Sequence, residues 1–156
     1  MTAHLVESIT IAKPALTVFD TVHDYRIRTQ WDTLLRRAYT VGGARPARDV
    51  VTTCVAHWYL GGLAFTTRYV TFNRPNLAAV TLVTPYFIFQ NWSASIRHRD
   101  RPIAGSAAPS SELVYTLTLR CRPAALARPL EFVAIRLFRT ETRRRLRALK
   151  RYLEAS

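Results

Sequence analysis

Between Arg36 and Arg122 apolar and polar residues alternate in short runs, and from Pro129 to Leu153 the apolar spacing lengthens to three and four. The first period marks half-buried β-strands, the second an amphipathic helix. A strand precedes both regions: in Leu5–Ile11, Leu5, Ile9 and Ile11 share one face and Ser8 and Thr10 the other. Pro14 then opens a short helix, because a missing N–H costs nothing in the first helical turn. Leu16, Val18, Phe19 and Val22 form its apolar stripe. A second short helix is expected over Arg28–Leu35, carrying Trp31, Leu34 and Leu35. Arg37–Val41 resumes an extended run before the turn residues Gly42, Gly43 and Pro46. Strands are expected at Val50–Tyr59, Leu63–Phe72, Ala78–Val83 and Phe87–His98, with Gly61-Gly62 and Asn73–Asn76 as hairpin turns. Arg99–Ser111 reads as a polar loop. Glu112–Cys121 has the cleanest alternation, with Leu113, Tyr115, Leu117 and Leu119 on one face.

The order strand, two short helices, about six strands, long helix predicts a single antiparallel α+β domain over residues 1–156. At 1.5 Å per residue the last helix runs on the order of 35–40 Å, enough to cross a small domain. Leu130, Val133, Ala134, Leu137 and Phe138 share one of its faces, and Leu146, Leu149, Tyr152 and Leu153 form a stripe rotated from the first. Glu141 and Arg145 fall between the two stripes, while Arg136, Arg139, Arg143 and Arg147 make the opposite, solvated face. A sheet closed by one such helix predicts an internal cavity.

Charge adds a question about partners. The 23 Lys and Arg residues outnumber the 10 acids for a net charge of +13, and all but Lys13 and Lys150 are arginine. Such a chain suits an anionic membrane surface or nucleic acid. It equally suits a GC-rich coding genome and a solvated surface. The basic residues are dispersed from Lys13 to Arg151, without a zinc finger, an RNP-like aromatic motif or a helix-turn-helix, so nucleic acid ranks last. Cys54 and Cys121 lack zinc-ligand spacing and read as buried free thiols in a reducing compartment. The opening MTAHLVESITIAKP has no basic segment followed by an apolar one, and no apolar run approaches the roughly 20 residues of a spanning helix. The expected location is the cytoplasm, soluble or peripheral to a membrane.

The segment Glu7–Leu35 resembles the entry of the START-like superfamily, which includes polyketide cyclase/dehydrase and lipid-transport proteins. The resemblance rests on a strand, a helix opened near Pro14 with Val18 and Phe19, then Asp24 and Trp31, and on the long helix that ends the sequence. It implies a helix-grip fold, with a curved antiparallel sheet of about seven strands around the last helix and two short helices after the first strand. It further implies an apolar cavity for lipids, sterols, polyketides, plant hormones or quinones. The superfamily shares no universal catalytic residue, so the resemblance assigns none here.

Candidate cavity residues follow from strand phase and helix face. Trp92 shares a face with Ile88, Ala94 and Ile96; Tyr69 lies in phase with Leu63 and Phe65; Tyr115 lies in phase with Leu113 and Leu117. From the helix come Leu137, Phe138, Glu141 and Arg145. Trp31 either caps the cavity or anchors packing. Each aromatic taken singly is ordinary core; the expectation is collective, because a wide sheet facing one helix does not fill completely. Glu141 and Arg145, four residues apart, are either a solvated pair near the mouth or a mutually satisfied pair that orients a polar ligand group. His4, His23, His57 and His98 have no metal spacing, and His57 is the one plausible general base. No GxSxG, P-loop or GxGxxG is present, so no metal or cofactor is expected.

Three functions compete. The first is binding of a hydrophobic or amphipathic small molecule, with docking on anionic membrane compatible with the basic helix. The second is a polyketide aromatase/cyclase-like enzyme using Glu141, Arg145, Tyr69 or Tyr115, against which no paired acid and base can be read from spacing. The third is a basic surface that binds anionic membrane or nucleic acid.

Overall fold

The structure, a computed structural model, describes residues 3–156. Met1 and Thr2, the start of the segment read for a targeting signal, lie outside the described residues. Seven strands make one antiparallel sheet in the spatial order β1-β7-β6-β5-β4-β3-β2. They are β1 Ala3–Ile11, β2 Leu35–Thr40, β3 Val51–Ala56, β4 Ala64–Asn73, β5 Leu77–Leu82, β6 Phe89–Asp100 and β7 Ser111–Cys121. The helices α1, Ala15–Val22, and α2, Arg28–Trp31, carry the chain from one sheet edge to the other, and α3, Ala127–Glu154, follows β7. This is a helix-grip α+β fold.

Strand phase builds the packed part of the core. Leu113, Tyr115, Leu117, Leu119 and Cys121 all face inward from β7 and are buried. Leu5 pairs opposite Leu117 in the register of β1 with β7, and both join Leu146, Leu149 and Leu153 of α3 in one apolar cluster. The helix lies against β1 and β7 and stands off β3, β4 and β5. That asymmetry leaves the interior of the curl unfilled.

Local differences from the sequence pattern have identifiable causes. The second helix stops at Trp31 rather than Leu35, because Asp32 leaves helical geometry and its Oδ1 accepts from the backbone N–H of Leu34. Leu35 thereby becomes the first residue of β2. In α1 the buried face is Ala15, Val18, Phe19 and Val22, and Leu16 points outward. Asp100 Oδ1 accepts from the Ala15 N–H at 2.8 Å, so a distant strand caps this helix where its own N-cap, Pro14, makes no side-chain cap bond. The third strand ends at Ala56, and Trp58–Leu60 forms a single 3-10 turn. Gly62 follows at φ +63°, where a Cβ would meet the Trp58 ring at 2.8 Å, so glycine is needed there. A bulge between Tyr69 and Thr71 in β4 puts Tyr69 and Phe72 in contact, ring centroids 5.2 Å apart.

The arginine face of α3 is not uniformly solvated. Arg139 Nη1 and Arg143 Nε both donate to Glu7 Oε1 of β1 at 3.0 Å. They tie the helix to the sheet edge that it covers.

Candidate functional site

The curl of the sheet and α3 enclose a cavity of about 720 Å³, within the range typical of small-molecule sites. It stays open because the sheet presents short side chains there: Ala56, Ala78, Ala94, Thr52 and Thr67 cannot reach the helix. Its middle is aromatic. Phe65 lies 5.4 Å from Trp92 and 6.3 Å from Phe138, ring centre to ring centre. The exposed large apolar residues of the wall are Tyr59 (59%), Phe87 (58%), Val133 (62%) and Leu137 (47%), and they mark the mouth.

The other end is polar. Tyr69 Oη sits 2.8 Å from His23 Nδ1 and 2.8 Å from Tyr25 Oη, a three-group hydrogen-bonded chain. His23 comes from the end of α1, Tyr25 from the connection to α2 and Tyr69 from β4. Burial, then the positive charge of Arg28, holds His23 well below the usual imidazole range, so the ring is neutral at pH 7. Burial pushes the Tyr69 phenol well up, and Tyr25 beside it adds to the shift. Burial likewise raises the Cys54 thiol and the Tyr115 phenol.

Beside this chain lies a buried ionic cluster. Asp32 Oδ1 accepts from Arg145 Nε at 2.9 Å, and Oδ2 accepts from Arg145 Nη2 at 2.9 Å and from Arg28 Nε at 2.8 Å. Arg28 Nη1 also donates to the Val22 carbonyl at 2.9 Å. Burial opposes charge on Asp32, but the two guanidiniums outweigh it and lower its carboxyl from the ordinary value. Burial opposes charge on the arginines too, and the carboxylate keeps both ionised. The cluster pins α2 to α3 across the inside of the fold.

Of the residues expected at the cavity, Phe65, Tyr69, Trp92, Tyr115, Leu137, Phe138, Glu141 and Arg145 all stand in its wall. Trp31 and Leu117 do not. Trp31 is buried beneath the Arg28 guanidinium, 5.1 Å from its ring centre, and Leu117 is sealed in the core between the sheet and the packed half of α3. Glu141 and Arg145 are not a pair. Asp32 has captured Arg145, and Glu141 is left with a 3.7 Å contact to Arg144 and an Oε2 without a hydrogen bond among the described residues. His57, read as the one candidate base, stacks on Tyr59 outside the wall; His23 occupies the cavity instead.

Sequence reasoning missed His23, Tyr25, Arg28 and Asp32. All four lie in one ten-residue stretch, His23–Asp32. A signal was present in the Arg28/Asp32 spacing of four beside a tryptophan, which suits a buried ion pair on a short helix. Among the described residues no group of three or more His, Cys, Asp or Glu side chains is placed to hold a metal. No helix among them is long and apolar enough to cross a membrane.

The family model described as "Polyketide cyclase / dehydrase and lipid transport" matches residues 2–154, and the chain belongs to that family. Two solved structures share the fold. A START superfamily protein from Mycobacterium smegmatis is 15% identical, with a TM-score of 0.75 and 97% of each chain covered. The protein XoxI from Bacillus cereus is 18% identical, with a TM-score of 0.71 and coverage of 96% of this chain and 94% of that one. At such identities the likeness speaks to fold alone. Among curated proteins none matches this chain.

Proposed function

We propose that this protein binds an amphipathic small molecule, lipid-, quinone- or polyketide-like, in the cavity between α3 and the sheet. The observation that carries this reading is a cavity of about 720 Å³ with aromatic and aliphatic walls and its polar groups gathered at one end. An apolar body fits against Phe65, Trp92 and Phe138, and a polar end reaches Tyr25 and Arg28. The family description, which joins polyketide chemistry to lipid transport, is consistent with such a ligand.

Binding accounts for the polar end better than acid–base catalysis does. An efficient base or acid is tuned toward neutral pH. Here burial moves His23 down and Tyr69 up, so His23 is a weak base and Tyr69 a weak acid. The chain His23–Tyr69–Tyr25 is suited to holding a fixed hydrogen-bonding pattern.

The test is uptake of the neutral fluorophore N-phenyl-1-naphthylamine, together with native mass spectrometry of the purified protein. The expected result is saturable one-to-one binding that Ala134→Phe, which fills the wall from α3, abolishes while the fold survives. Absence of saturable binding to the wild-type protein would overturn the reading.

The rim of the mouth supports a second role, docking on an anionic membrane. Exposed Trp58 and Phe132 lie near the mouth residues Tyr59 and Val133, and arginines stack on three of these rings. Arg36 sits 3.9 Å from the Trp58 ring centre, Arg136 5.6 Å from that of Phe132 and Arg144 5.9 Å from that of Tyr59. Aromatic rings alternating with cations suit a lipid headgroup layer. Sedimentation with phosphatidylglycerol-containing vesicles but not with pure phosphatidylcholine vesicles is expected, weakened in Trp58→Ala. Equal behaviour toward both vesicle types removes this role.

A further inference from the structure

The buried ionic cluster carries one positive charge more than it neutralises. Arg28 and Arg145 share a single carboxylate, Asp32, whose two oxygens are fully engaged by three guanidinium N–H groups and the Leu34 amide. Arg28 Nη2 and Arg145 Nη1 make no hydrogen bond to a further carboxylate or carbonyl among the described residues, and the other group within hydrogen-bonding reach of Arg145 is the neutral Tyr115 phenol. Both side chains belong to residues more than nine-tenths buried, at 7% and 8% exposure, and both line the cavity. A buried charge without a counter-ion is costly.

The remaining charged group of the wall does not fill that role. Glu141 lies one turn before Arg145 on α3, yet its nearest cation is the half-exposed Arg144, 3.7 Å from Oε1, and it makes no ion pair with Arg145. The titratable neighbours of the arginines are neutral: burial holds the Tyr25 and Tyr115 phenols and the Cys54 thiol in their protonated forms. Tyr25 lies against Arg28, its ring centre 5.6 Å from the guanidinium carbon, and Tyr115 lies 5.8 Å from that of Arg145. Two guanidiniums and two phenols thus converge on the polar end of a cavity that is otherwise apolar.

We infer that the ligand is a carboxylate-headed amphiphile whose monoanionic head is received by Arg28 and Arg145. This inference rests on the proposed binding role and narrows it to a ligand class. The charge count selects a monoanion. One excess positive charge matches one carboxylate, whereas a phosphate monoester at neutral pH brings up to two negative charges into a wall that already holds Glu141. The guanidinium fork is also the group best shaped for a carboxylate.

The experiment displaces N-phenyl-1-naphthylamine from the wild-type protein at pH 7.5 with decanoate, 1-decanol and decyl phosphate, which share one chain length. Decanoate is expected to displace the dye at a concentration at least tenfold below 1-decanol, and decyl phosphate is expected to be no better than decanoate. Arg28→Met removes the excess charge and leaves the bidentate Asp32–Arg145 pair in place; decanoate and 1-decanol should then displace the dye at equal concentrations. Arg28→Lys should keep part of the preference. Dye binding with equal displacement by acid and alcohol, or with decyl phosphate the strongest, overturns the carboxylate assignment and leaves the cavity reading standing. Failure of the dye to bind the wild-type protein overturns both. The wild-type series decides the question even where Arg28→Met does not fold.

Discussion

The two halves of α3 carry similar leucine-rich stripes and live in different surroundings. Leu146, Leu149 and Leu153 are buried against β1 and β7, whereas Val133 and Leu137 remain exposed at the cavity mouth. The difference does not come from the helix. It comes from what stands opposite. Leu5, Leu113 and Leu117 reach the second half, but the strands facing the first half curl away, meet it with the rings of Phe65, Phe89 and Trp92 at Phe138, and elsewhere present alanine and threonine. An apolar stripe becomes core where long side chains meet it and a binding wall where they do not. Between the halves, Arg145 ties the helix to Asp32 and closes the boundary with charge.

The largest break in this comparison should come at the boundary itself. Asp32→Ala leaves two arginines buried without a carboxylate and is expected to cost about 3–5 kcal/mol, or to prevent folding. Urea unfolding measures it, and a loss under about 1 kcal/mol would mean that the arginines reach solvent. Next comes Leu149→Ala in the packed half, with an expected cost of roughly 2–5 kcal/mol as a core truncation.

A pH effect follows from the polar residues under α1. Burial lowers His98 to about 4 and lowers His23 as well, and neither His98 nitrogen has a hydrogen-bond partner among the described residues. Both folded-state values lie below the unfolded ones, so on acidification the unfolded chain takes up protons first. Stability should hold above about pH 6.5 and decline toward pH 4, with His98 contributing at most roughly 3 kcal/mol. His98→Leu should flatten this acid limb in melting curves recorded from pH 7.5 to 4.5. An identical limb in the variant would show that His98 titrates normally.

The smallest stability effect belongs to the open half. Leu137→Ala should change unfolding by less than about 0.5 kcal/mol, because little packing is lost from an exposed position, while weakening N-phenyl-1-naphthylamine binding. A cost comparable to that of Leu149→Ala would erase the contrast between the two halves.

Much of the cavity wall was legible because strand phase and helix face are local properties. Tyr69, Trp92 and Tyr115 point inward for the same reason that their in-phase neighbours do, and Phe138 lies on the apolar sector of its helix. Leu117 obeys the same rule and lies in sealed core, since phase decides a face and not what stands across from it. The Glu141–Arg145 pairing failed for a related reason. Spacing on one helix competes with partners that the chain brings from elsewhere, and Asp32, 113 residues away from Arg145, takes two of its three donor nitrogens, Nε and Nη2.

The sequence by itself determined the alternation that makes seven strands, the amphipathic α3, the membership of a grip-fold family and the basic charge. Those properties depend on residue period, composition and short-range backbone chemistry. Only the tertiary structure decided that α3 covers one side of the sheet, that small residues meet the other side, and that His23, Tyr25, Arg28, Asp32, Tyr69 and Arg145 converge. These depend on sheet curl and on contacts between distant segments. The physical reason is that a period assigns each side chain a direction, while a cavity and a charge balance arise from which directions meet.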